Sequence, residues 1–177
     1  MDAVLNEPTL SQPDLKTILS GSSSGYTIKS ATNVIGGTYL ACKLADISCP
    51  RVLIKINFKT KPVSSWNQVL IGWCYSGQQY WAVALNVQDI EVNKDYYFLL
   101  NRTGNIGEIY DEDLNIVTKS SNPGHSTTSW GDGYAIAVCN GSLNVNYVKA
   151  ASVPVGLKLT TKIFAYIDKD ESLYGIV

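Results

Sequence analysis

The stretch Gln78-Gln79-Tyr80-Trp81-Ala82-Val83-Ala84-Leu85-Asn86-Val87, followed by a polar connector over Gln88–Asp95 and then Tyr96-Tyr97-Phe98-Leu99-Leu100-Asn101-Arg102, decides how this chain is read. Two aromatic and aliphatic runs of strand length flank a connector rich in Asp, Asn and Lys, the pattern of two neighbouring β-strands. Tyr80, Trp81, Tyr96, Tyr97 and Phe98 all fall in these runs. Side chains alternate between the two faces of a strand, so neither run can bury all its rings on one side. Some rings must face a second layer, a loop or a ligand.

Outward from this pair, β signals dominate. Tyr26–Ser30 and Thr38–Leu44 are short strand candidates around Gly36-Gly37, and Arg51–Lys59 alternates cleanly. Val52, Ile54, Ile56 and Phe58 mark a core face there, and Leu53, Lys55, Asn57 and Lys59 a mostly wet one. Ile106–Tyr110 and Leu114–Thr118 read as a hairpin turned by Asp111-Glu112-Asp113. Tyr134–Cys139, Leu143–Lys149 and Val155–Ile167 complete roughly ten short strands with Gly, Asn and Asp turns. The segment Pro62–Tyr75 reads two ways. Trp66, Val69, Leu70 and Trp73 recur at helical spacing behind Ser64, whereas Val69-Leu70-Ile71 favours a strand, and Gly72 costs a helix about 1 kcal/mol relative to Ala. The strand reading is preferred from Gln68 onward.

The N-terminal part reads differently. Ser11-Gln12-Pro13-Asp14 offers a cap and an acidic first turn, with Leu15, Ile18 and Leu19 on one helical face and Gly21 as a stop, which predicts a helix of two to three turns. Gly21-Ser22-Ser23-Ser24-Gly25 then reads as a linker. The expected organisation is a lead-in over 1–24 and a single antiparallel β-domain over 25–177, mainly β with one or two short helices.

Length and charge narrow the function classes. A chain of 177 residues, 45% hydrophobic and 16% charged, is globular and builds one core. Its 14 Lys and Arg balance 15 Asp and Glu with no basic stripe beside the aromatics, which argues against a nucleic-acid partner. No apolar run reaches the roughly 20 residues a membrane span needs, so membrane insertion is not expected. The opening residues lack the basic and apolar regions of a signal peptide. Cys42, Cys49, Cys74 and Cys139 are scattered and the chain has one histidine, so a structural zinc site is not expected. Free thiols are the first reading for these cysteines, with disulfides as the alternative. Asn101-Arg102-Thr103 and Asn140-Gly141-Ser142 are sequons that matter only in a secretory compartment.

No catalytic constellation emerges. The lone His125 has Ser126 beside it and Asp132 nearby, but a triad needs geometry that sequence adjacency does not supply, and there is no Gly-x-Ser-x-Gly elbow. Walker-type phosphate loops are absent. Asp111, Glu112 and Asp113 could furnish the two carboxylates of a glycosidase, although consecutive acids at a hairpin tip ordinarily form a solvated turn. No cofactor is implied.

A sugar site remains, because sugars offer flat C–H faces and hydroxyl rings. It needs an exposed Trp or Tyr with amides, hydroxyls or guanidinium nearby. Tyr80 and Trp81, Arg102, and the loop Ser126-Thr127-Thr128-Ser129-Trp130 meet that description. That loop lies in Ser120–Asp132, which is long for a connection in a compact domain. The competing reading is that strand Trp and Tyr are core, which suits Trp73 and Tyr97 best.

The stretch His125-Ser126-Thr127-Thr128-Ser129-Trp130, leading to Ala137-Val138-Cys139, resembles the glycan-binding head domain of the rotavirus outer-capsid spike protein. Tyr97-Phe98-Leu99-Leu100, Gly104-Asn105-Ile106, Tyr110 and the opening Val4-Leu5-Asn6-Glu7-Pro8 are similar to that family as well, about a third of the chain in all. Residues beyond Asn140 have no counterpart, which makes this a divergent relative. The resemblance implies a galectin-like sandwich or a sheet clasping one helix, the helix then being Pro62–Tyr75. It implies a non-enzymatic attachment domain on the virion surface, joined to the remainder of the spike protein and binding host-cell glycans. The arginine that holds an acidic sugar in the family falls at Thr38 here, so neutral glycans of the galactose and N-acetylglucosamine type are expected. His125 and Ser126 are the site positions the resemblance carries over. Two other readings stay open: a fibre or adhesin β-domain recognising a protein receptor, and a carbohydrate-active enzyme module.

Overall fold

The computed structural model describes residues 9–10, 17–22, 25–30, 39–43, 51–64, 67–75, 78–121, 133–138 and 141–153. They form thirteen strands: β1 (Thr9–Leu10), β2 (Thr17–Ser22), β3 (Gly25–Ser30), β4 (Tyr39–Lys43), β5 (Arg51–Phe58), β6 (Val63–Ser64), β7 (Gln68–Tyr75), β8 (Gln78–Asn86), β9 (Asp95–Asn101), β10 (Ile106–Tyr110), β11 (Ile116–Ser121), β12 (Gly133–Val138) and β13 (Gly141–Val153). Among the described residues the sole helical element is a 3-10 turn at Val87–Asp89. The expected mainly β, antiparallel class is what the chain adopts.

Two sheets share one core. The first runs β1-β4-β12-β7-β8 and the second β11-β10-β9-β5-β13-β3-β2, with β6 also paired to β13. Every pairing is antiparallel. Val52, Ile54, Ile56 and Phe58 of β5 and Tyr96, Phe98 and Leu100 of β9 meet Val69, Ile71 and Trp73 of β7 and Tyr134, Ile136 and Val138 of β12. Phe58 and Tyr96 pack edge to face at 5.7 Å. Fully burying side chains of this size stabilises the fold by about 2 kcal/mol each.

The segment Gln68–Tyr75 is a strand, as preferred, so no helix is built there for a sheet to clasp. The N-terminal helix is corrected: Thr17–Ser22 is β2, paired with β3 from Thr17↔Ser30 to Ser22↔Gly25. A helix of two turns has little stability of its own, and six ladder partners outweigh its cap. Gly21, Ser22 and Gly25 are therefore ladder positions in the second sheet and not a linker. Residues 11–16 of that predicted helix, and the strand expected at Val155–Ile167, lie outside the described residues.

The wet face expected for β5 is also corrected. Leu53, Lys55 and Asn57 are buried, as are Val52–Phe58 throughout. The strand sits between β9 and β13 in the middle of the larger sheet, and side chains of those neighbours, Asp95, Tyr97 and Tyr147, lie against its outward-facing Lys55 and Asn57.

Cys42 on β4 and Cys74 on β7 are held apart by β12, which lies between the two strands. Two strand spacings are about 9.6 Å, beyond the reach of a disulfide.

Candidate functional site

The alternation of Gln78–Asn86 is interrupted inside β8. Ile71 lies opposite Val83 but Gly72 lies opposite Trp81, so Ala82 is an extra residue and the strand carries a β-bulge. Val83 and Leu85 point into the core, and unbroken alternation would send Trp81 inward with them. The extra residue shifts the phase. Trp81 instead shares the outer face with Leu70 and Ala84 and is half-exposed, opposite a glycine that puts no side chain against its ring.

A shallow groove of about 260 Å³ runs there, bordered by Leu70, Trp81, Ala84, Ser120 and Ser121. One wall is β8, at the end of the five-stranded sheet, and the other is β11, at the end of the larger sheet's described strands. Ser120 and Ser121 are exposed. The Ser120 hydroxyl donates to the Ala82 carbonyl at 2.5 Å, and the Asn105 side-chain amide donates to the Trp81 carbonyl at 3.1 Å. None of the lining residues is charged. An indole beside hydroxyls in an uncharged hollow can stack on a C–H face and exchange hydrogen bonds with neutral hydroxyls.

The other expected site residues fare differently. Arg102 stands half-buried in the turn after β9, its guanidinium 5.3 Å from the centre of the buried Trp73 ring, and does not line the groove. Tyr80 is a backbone member of β8, paired with Trp73; its side chain lies outside the described set. His125, Ser126, Thr127 and Trp130 lie outside the described residues. Leu70, Ser120 and Ser121 were missed, because Ser120 reads as the start of a loop when it is the penultimate residue of β11, opposite Gly107. A bulge has no residue signature that would have flagged Asn105.

Acidic residues gather at a second hollow of about 130 Å³ bordered by Glu91, Lys94, Asp95, Asp111, Glu112 and Asp113. Asp111 and Glu112 are engaged in holding this region together. Asp111 accepts from the Asp113 and Asn115 backbone amides at 3.0 and 2.8 Å and from the Asn115 side chain, and Glu112 pairs with Lys94. Among the described residues no group of three or more His, Cys, Asp or Glu has an arrangement that could hold a metal ion.

On the outer face of the larger sheet, Asp95 accepts from Asn57 at 2.6 Å and Tyr147 at 2.5 Å and pairs with Lys55 at 2.9 Å. Lys55 also lies over the Tyr97 and Tyr147 rings at 5.4 and 5.7 Å. Burial pushes the Asp95 carboxyl up, but the bonds from Asn57, Tyr147 and Lys55 together outweigh it and hold the group below the usual carboxylate range. Burial and the bond to Asp95 push the Tyr147 phenol well above its ordinary value. Nearby, burial and Glu108 raise Tyr110 to about 12. The Lys55 network is saturated with its own partners and joins three strands, so its work is architectural.

No protein-family model matches the chain, and no curated protein matches it in sequence. Among solved structures, one of a protein of unknown function from Shewanella oneidensis MR-1 is similar over 90% of this chain and 81% of its own, at 8% identity and a TM-score of 0.45.

Proposed function

We propose that this chain is a non-enzymatic, lectin-like β-domain that binds neutral glycans of the galactose and N-acetylglucosamine type. The observation that carries the reading is the half-exposed Trp81 in an uncharged groove with Ser120 and Ser121. Trp81 stacks on the apolar face of a sugar, and the two serines meet its hydroxyls. An acidic sugar would find no cation among these lining residues, which favours neutral ligands. Attachment of a virion to host cells, as the head of a spike, rests on the resemblance of the His125–Cys139 stretch. Weak single-site binding would then be multiplied by many copies.

A protein-receptor surface has less support. The exposed large hydrophobics among the described residues are Val63 on β6, Val92 in the turn before β9 and Ile116 on β11. Three exposed side chains are few for a patch of several hundred square ångströms.

The test is a glycan array on the purified domain, followed by titration of Trp81→Ala and Trp130→Ala. Neutral galactose-containing glycans are expected to bind, and Trp81→Ala to weaken them by tenfold or more, as loss of about 1.4 kcal/mol or more of stacking would. A silent array, or unchanged affinity in Trp81→Ala, overturns the groove as the site.

A further inference from the structure

We infer that Asn105 is a positioning residue for Trp81: with Gly107 and Ser120 it holds the β8 bulge that turns the indole outward into the groove. The consequence for binding rests on the glycan reading above, whereas the consequence for the indole itself does not.

Three contacts from the larger sheet converge on the bulge. Asn105, in the turn between β9 and β10, donates to the Trp81 carbonyl. Ser120, on β11, donates to the next carbonyl, that of Ala82. Between them Gly107 of β10, paired with Ser120, lets β10 come so close that a Cβ there would stand 2.5 Å from the Val83 Cβ. β8 is the edge strand of its sheet, and the consecutive carbonyls of Trp81 and Ala82 both accept from side chains of the other sheet. If the bulge were lost with Val83 and Leu85 kept in the core, the one-residue shift would turn Trp81 to the opposite face.

Asn105 suits this role for two reasons. It takes a positive φ of 45° and is wholly buried, so it touches no ligand and acts through Trp81 alone. Its side-chain carbonyl has no hydrogen-bond partner among the described residues. Leaving such an acceptor buried is costly, and the donor half bound to the Trp81 carbonyl is what the residue contributes in return.

The experiment uses Asn105→Gly, which keeps access to the positive φ and deletes the amide. In the free protein, the Trp81 indole N–H resonance, assigned by its loss in Trp81→Phe, is expected to shift or split while that of Trp73 stays. Titration with N-acetyllactosamine is expected to show affinity about three- to tenfold weaker, the effect of one lost hydrogen bond. A Trp81 resonance that does not move overturns the inference, whatever the sugar does. Failure of the unaltered protein to bind the disaccharide counts against the glycan reading only, since the indole measurement still decides the positioning role. Should Asn105→Gly not fold, Ser120→Ala removes the neighbouring donor and is read by the same resonance: movement supports the inference, and none overturns it.

Discussion

Asp95 accepts from Asn57 and Tyr147 and pairs with the buried Lys55, so one carboxylate holds three strands together. Its carboxylate is one-quarter exposed, at 24%, while the Lys55 side chain it neutralises is nearly sealed at 7%. Because its folded-state pKa is depressed, the network contributes stability that is present above the ordinary carboxylate pKa and lost as pH falls through the lower folded value. Stability is therefore expected to decline below about pH 4, and Asp95→Asn to flatten that decline when urea midpoints are followed against pH. At neutral pH the same substitution is expected to cost about 3 kcal/mol, because it leaves the Lys55 ammonium buried beside a neutral group. A pH profile identical to the parent's would remove Asp95 from the explanation. Little of this was visible in the residues alone. Lys55 and Asn57 look like the wet side of an amphipathic strand, and only the partners brought from β9 and β13 reveal why they are buried.

Between elements, Gly107 of β10 is the point of closest approach to Val83 of β8 that a side chain would block. Its missing side chain is what lets β10 lie against β8, and with it the two sheets close beside the groove. Gly107→Ala is expected to destabilise the domain by about 1–3 kcal/mol, the usual cost of overpacking, measured as a fall in the urea midpoint with an unchanged slope. A midpoint equal to the parent's would mean the strands part without penalty. Most elements were legible from alternation, β5, β7 and β9 above all, and the acidic turn between β10 and β11 from its Asp-Glu-Asp run. β2 was not, because Leu15, Ile18 and Leu19 fit a helical stripe as well as a strand, and a ladder to β3 settled the matter. Trp81 was legible as a candidate. Its bulge was not, since Ala82 in sequence is one more alternating residue.

For the whole molecule, the order of the strands predicts the kinetics. β12 inserts between β4 and β7, and β13 between β3 and β5, so each sheet closes only when segments far apart in sequence meet. Such topology pays loop-closure entropy before contacts form, and refolding is expected on the millisecond-to-second scale. Stopped-flow tryptophan fluorescence measures it, and a submillisecond phase carrying the full amplitude would contradict the strand order. The amino-acid sequence by itself determined the class of the fold, since period-two alternation and turn residues act over a few neighbours and need no tertiary partner. Tertiary structure alone decided which strands neighbour each other, which polar side chains are buried, and that Trp81 faces outward. Those outcomes depend on register and on donors that arrive from the other sheet, and neither is encoded within the span of one strand.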